Sequence, residues 1–160
     1  MKIEGGVTSP NCYAYALGCN KSMQPGGASG KQLNTRAKYS INDLVTLVKR
    51  DLKALGRGCR ELTSINGTIN HDEYRIAVRH GKRMYIFDKV SGNYKYVKVG
   101  GSYDYHFMVQ LNDGTWSEKH GIGGDSIHHK LGDTPNTLSW DLGNLIGYYD
   151  SDIRYLAITR

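Results

Sequence analysis

Cys12 and His106 are the residues whose type and setting point to chemistry. Cys12 opens the small-residue stretch Asn11-Cys12-Tyr13-Ala14-Tyr15-Ala16-Leu17, and His106 stands at the start of Tyr105-His106-Phe107-Met108-Val109-Gln110-Leu111. A thiol attacks as its thiolate, and a helix amino terminus favours that anion through partial positive charge and unpaired N–H groups. Asn11 is a good helix cap and Pro10 keeps the chain before it out of a helix, so the helix is expected to begin at Cys12. An imidazole within reach would hold the thiolate as an ion pair, or act as general base and later protonate the leaving amine. Taken singly, a cysteine is more often a small buried apolar residue and a strand histidine a hydrogen-bonded one. The capped helix and the strand together point to nucleophile and base.

A third group follows from the turn after His106. If Asn112-Asp113-Gly114 is a three-residue loop with Gly114 left-handed, Leu111 pairs with Thr115, Met108 faces Glu118 and His106 faces His120. A two-residue turn at Asp113-Gly114 would put Ser117 and Lys119 there instead, because side chains alternate faces. The three-residue loop is favoured, since Glu118 or His120 could accept the other ring N–H of His106 and Lys119 could not. His128-His129 reads as a surface pair whose side chains point apart, with one able to contact substrate. His71 and His80 read as turn residues.

These residues need a frame of helices and strands. Gly18 to Lys38, with Gln24-Pro25-Gly26-Gly27-Ala28-Ser29-Gly30, has no hydrophobic period and reads as a long loop. Ser40 and Asp43 form a cap-like pair opening a second helix, with Ile41, Leu44, Val45, Val48, Leu52 and Leu55 on one stripe and Gly56 as the stop. From Tyr74 the period alternates. Tyr74 to Arg79 and Arg83 to Asp88 are expected to flank a turn at His80-Gly81-Lys82, with Tyr94 to Val99 following Ser91-Gly92-Asn93. Tyr105 to Leu111, Thr115 to His120 and Tyr155 to Thr159 complete the strands. The stretch between the last two is irregular, with one helical turn near Leu142 to Leu145. Helices first and antiparallel strands after give an α+β domain.

The 160 residues are expected to form a single domain, residues 1–160. Cys12, Cys19 and Cys59 show no paired or metal-type spacing, so free thiols and no zinc site are expected. The net charge of +6 favours an anionic partner, nucleic acid, cell-wall polymer or acidic protein, although a solvated basic face accounts for such an excess and no nucleic-acid-binding motif accompanies it. Twelve tyrosines against two phenylalanines could line a substrate groove or serve as half-buried strand residues. The start of the chain has no apolar run of signal-peptide type and no segment reads as a membrane span. A soluble basic protein is expected, cytoplasmic or delivered without a cleavable signal peptide.

The early Asn11-Cys12-Tyr13-Ala14-Tyr15-Ala16-Leu17, the late His106 strand and the polar group one strand later resemble the papain-like cysteine peptidase superfamily in its compact form, as in NlpC-type peptidases and CHAP amidases. The stretch Asp104-Tyr105-His106-Phe107 through Asp113-Gly114-Thr115-Trp116-Ser117-Glu118-Lys119 is also similar to a group of poorly characterised bacterial and phage proteins. The resemblance implies a papain-like fold, with amino-terminal helices packed on an antiparallel sheet. It further implies Cys12 as nucleophile, His106 as base, Glu118 or His120 as orienting group, and an oxyanion and substrate site around Asn11, Cys12 and Tyr13. The implied reaction cleaves an amide, isopeptide or peptidoglycan-type bond through an acyl-enzyme, without metal or cofactor, in a peptide or protein substrate, including cell-wall peptide. Two other classes stay open: a thiol acyltransferase or deamidase on the same site, and a non-catalytic basic binding module such as a phage accessory or inhibitor protein.

Overall fold

The alternation that begins at Tyr74 becomes the framework of a mixed sheet and helix domain. The computed structural model describes residues 10–34, 37–120, 124–141 and 147–160. Helix α1 (Cys12–Leu17) starts where Asn11 Oδ1 accepts the Ala14 N–H at 3.0 Å, and Gly18 ends it with a left-handed φ of 73°. Helix α2 (Ile41–Ala54) opens with a complete capping box, in which the Ser40 hydroxyl accepts the Asp43 N–H and the Asp43 carboxylate accepts the Ser40 N–H. Its stripe of Leu44, Val45, Val48 and Leu52 packs into one core with Ile76, Val78, Leu156 and Ile158 from the sheet. Cutting Leu44 or Leu52 back to alanine would cost about 2–5 kcal/mol.

The strands are β1 (Cys59–Leu62), β2 (Glu73–Val90), β3 (Asn93–Gln110), β4 (Trp116–Lys119), β5 (Ser126–His128), β6 (Gly147–Tyr149) and β7 (Arg154–Thr159). They lie in the order β1-β7-β2-β3-β4-β5, with β6 also paired to β2, and their pairings are antiparallel. The fold class is α+β. No helix among the described residues is long and apolar enough to cross a membrane.

One expected turn is not a turn, and two expected strands are one. His80-Gly81-Lys82 runs through the middle of β2, and the segments expected at Tyr94 to Val99 and Tyr105 to Leu111 are one strand, β3. Gly81 marks a close approach: a Cβ built there would lie 1.9 Å from the Tyr148 carbonyl oxygen, because β6 pairs alongside with Gly81 opposite Tyr149. The chain reverses at Ser91-Gly92, within the expected Ser91-Gly92-Asn93 connection, and the φ values of 53° and 84° fit the two left-handed positions of a type I′ hairpin turn. Strands β1, β5 and β6 have three or four residues each, too short for alternation to announce them, and Cys59 begins β1. The helical turn expected near Leu142 to Leu145 lies outside the described residues.

Strand alternation gives the sheet two unlike faces. Tyr105, Phe107 and Val109 of β3 point into the core shared with both helices. Met108 joins a second core with Ala77, Trp116, Trp140, Tyr149 and Tyr155 on the opposite side. His106, between Tyr105 and Phe107, belongs to this second side, with Trp140 and Tyr149 rings 5.9 and 5.8 Å from its own.

Candidate functional site

The three-residue loop after β3 forms as the sequence predicts and fixes the geometry of the site. The Leu111 N–H donates to the Thr115 carbonyl at 2.8 Å, Gly114 is left-handed at φ 87°, and the Asp113 side chain ties back the Thr115 N–H at 3.0 Å. The resulting register sets Met108 opposite Glu118, so His106, Glu118 and His120 share one face. The sequence places all three correctly.

Glu118 is the centre of this group. Its Oε1 lies 2.9 Å from His106 Nε2 and 2.7 Å from His120 Nε2, and its Oε2 lies 2.5 Å from His129 Nε2. An ionised carboxylate accepts only, so each imidazole donates from Nε2 in this arrangement. The His106 and His120 rings stack in parallel, with centroids 4.2 Å apart and planes 4° from one another. Burial by itself would push the Glu118 carboxyl up, but the imidazole N–H donors outweigh it and hold the group well below the usual carboxylate range. Burial lowers the His106 pKa despite its bond to Glu118, so that ring is neutral at pH 7.

The aromatic wall around His106 is itself braced. Trp140 Nε1 donates to the Pro135 carbonyl at 2.8 Å, and the Tyr149 hydroxyl donates to Asp104 Oδ2 at 3.1 Å, where Arg83 also pairs at 3.2 Å. His106 and Glu118 side chains are 2% and 3% exposed, whereas those of His129 and His120 are 18% and 29% exposed. The cluster is thus sealed on its inner side and reached by solvent past His120 and His129.

His129 is the site residue that the sequence reading missed. Strand β5 pairs with β4 so that Ser117 faces His128, which puts His129 across from Trp116 and on the face of Glu118, with its N–H bonded to the Trp116 carbonyl at 2.9 Å. The signal present in the sequence was that two adjacent strand histidines must point to opposite faces. Only the short pairing of β5 decides which one points inward.

Cys12 does not join this group. It sits in the helix-side core with Tyr13, Tyr39, Tyr105 and Phe107, and its sulfur makes a long 4.0 Å contact with the Tyr105 carbonyl. His106 points to the other side, so the expected bond between thiol and imidazole is not formed, and the reason is the single-residue alternation of β3. Burial first, then the charge of Asp104, push the Cys12 thiol up to about 12, opposite to what a resting thiolate requires. Asn11 and Tyr13, expected near substrate, are buried and hydrogen-bonded within the fold: Asn11 caps α1 and donates to the Met23 carbonyl at 2.8 Å, and the fully buried Tyr13 donates its hydroxyl to Asp51 at 2.6 Å.

The long loop expected between the helices is ordered by that same aspartate. Asp51, buried on α2, accepts from the Gly26 N–H at 2.7 Å, the Ser29 N–H at 3.0 Å and the Ser29 hydroxyl at 2.7 Å in addition to Tyr13. The loop walls an open groove of about 490 Å³ lined by Cys19, Lys21, Met23, Gln24 and Gln32 among others. It lies on the helical side, where Gln24 accepts the Tyr105 hydroxyl, and not beside Glu118. Comparison with protein-family models, curated proteins and solved structures finds no match for this chain.

Proposed function

We propose that this protein is a hydrolase of amide bonds whose reaction centre is the group His106, Glu118 and His120, with His129 at its rim. The observation that carries this reading is the convergence of three imidazoles on one buried carboxylate. Four polar side chains in an apolar wall are costly to assemble for stability alone, since hydrophobic residues of the same volume would pack as well or better. In the reaction, the partly exposed His129 imidazole, oriented by Glu118 through Nε2, takes at Nδ1 the proton of an attacking water as the water oxygen bonds to the carbonyl carbon. The protonated ring then gives that proton to the leaving amine. Tyr149, held by Asp104, and the partly exposed His120 flank the approach of substrate.

A thiol acyl-enzyme of papain-like type is the second reading, and a specific observation favours it. His80 is the cross-strand partner of Tyr105, so it shares the face of Cys12. Its Nε2 is buried without a hydrogen-bond partner, next to the Tyr39 ring at 4.7 Å. In this reading His80 replaces His106 as the base. The same α+β order of helix before sheet supports it.

One experiment separates the two readings. Wild type, Glu118→Gln, Cys12→Ala and His80→Ala are incubated with peptide, isopeptide and peptidoglycan-fragment mixtures, and new amines are counted by mass spectrometry. The first reading expects Glu118→Gln to lose at least a hundredfold in rate and Cys12→Ala to keep wild-type rate. Loss of turnover in Cys12→Ala and His80→Ala with Glu118→Gln unaffected would replace it by the thiol mechanism. No turnover on any substrate would leave a binding role in place of hydrolysis.

A further inference from the structure

We infer that the cluster of His106, Glu118 and His120 is a binding site for a divalent transition-metal ion, with His129 completing it through the second carboxylate oxygen of Glu118. This deepens the hydrolytic reading above, because it rests on the same residues and assigns them a cofactor. The donor atoms of His106, Glu118 and His120 lie within 4.8 Å of one another and belong to two buried residues and one half-buried residue.

The geometry fits an ion in three respects. His106 and His120 present the same ring atom, Nε2, to one oxygen, Glu118 Oε1, so these three donors face a common point, while His129 holds the other carboxylate oxygen from outside it. In a tetrahedral site with bonds of about 2.0–2.1 Å, neighbouring donor atoms stand roughly 3.4 Å apart. The present separations of 2.9 and 2.7 Å to Glu118 Oε1 fall below that edge, so an ion at the centre spreads the ligands by less than an ångström and replaces shared protons. Two imidazoles and a carboxylate form a borderline donor set that suits zinc, and also iron or manganese where further positions stay open.

The burial pattern adds a direction. His106 and Glu118 hold the ion from inside, while His120 and His129 are partly exposed, which leaves a side on which water or a substrate oxygen can complete the coordination. That is the form of a reactive metal site and not of a closed structural one. His128 points to the opposite face of β5 and stays out of the ligand set.

The test uses the full chain, stripped with a chelator and dialysed, then titrated with Zn²⁺ alone by calorimetry and with Co²⁺ alone by visible absorption. Expected is one ion per chain, with visible Co²⁺ bands in the range of tetrahedral or five-coordinate sites. Affinity should fall at least tenfold in His120→Ala and in His129→Ala, both near the surface, and stay unchanged in His71→Ala. Absence of stoichiometric binding, or binding that ignores His120→Ala and His129→Ala, overturns the inference. Hydrolysis by the stripped protein with no ion bound would overturn the metal site and leave the hydrolytic reading standing. An ion bound through these histidines in a protein without hydrolytic activity would do the reverse.

Discussion

Asp51 and Glu118, two of the buried carboxylates among the described residues, make opposite use of the same physical problem. Asp51, fully enclosed on the helical side, is satisfied by the Tyr13 hydroxyl, by two backbone amides and by the Ser29 hydroxyl. Glu118, 2% exposed on the other side, is satisfied by three imidazoles. Both meet the rule that a buried charge must be hydrogen-bonded. The partners of Asp51 keep their protons at any ordinary pH and hold a loop in place. Those of Glu118 can change charge, exchange a proton or bind a cation, so chemistry is available at one carboxylate and only architecture at the other.

The comparison can be broken by mutation. Glu118→Ala leaves three imidazoles facing an emptied apolar pocket and should cost about 3–5 kcal/mol in urea unfolding. Asp51→Ala should cost about 3 kcal/mol by the same measure, since it strands four donors at once. Its metal affinity and any hydrolytic rate, scaled to folded protein, should stay within twofold of wild type. A loss of Zn²⁺ binding in folded Asp51→Ala would show that the two sides are not independent.

Acid sharpens the contrast further. The His106 pKa is below its ordinary value in the folded chain, so the unfolded chain takes up that proton first. This contribution to stability is therefore complete above roughly pH 6.5 and is lost as the pH falls through the depressed value, and Glu118 adds a second loss below its ordinary 4.5. Thermal unfolding should show a midpoint that drops between pH 6.5 and 4 in wild type and in Asp51→Ala. In His106→Gln the upper part of that slope should become shallower, with His80, whose pKa burial also lowers, carrying what remains. The smallest effect belongs to Cys12, whose alkylation by iodoacetamide should be slow at pH 8 because the thiol titrates near 12. Its replacement by alanine should cost about 1 kcal/mol or less, measured by the same urea curves. Fast labelling of Cys12 at pH 6 would show a thiolate there and favour the thiol mechanism.

Much of this was legible in the residues themselves. Asn11 and Ser40 announce both helix starts, and Asn112-Asp113-Gly114 fixes the register that aligns His106 with Glu118 and His120, because caps and tight turns are decided by a few adjacent atoms. What escaped depended on distant partners. Gly81 reads as a turn until β6 is known to lie against it, and His129 reads as surface until β5 pairs with β4. The pairing of Cys12 with His106 failed for a different reason: the order of residues along a chain matches a catalytic pattern without saying which side of β3 the helix will cover.

The β3–β4 hairpin also has a consequence for how the protein assembles. Glu118 meets His106 across 12 residues and His129 across 11, whereas the contact of Cys12 with Tyr105 closes a segment of 93. The entropy of closing the longer segment is greater by about 2 kcal/mol. The histidines therefore gather within one continuous stretch of chain and need little search to find each other, while the helical side waits for the two ends of the chain to meet. An ion captured early by that stretch would act as a nucleus around which β3, β4 and β5 set their register before α1 docks.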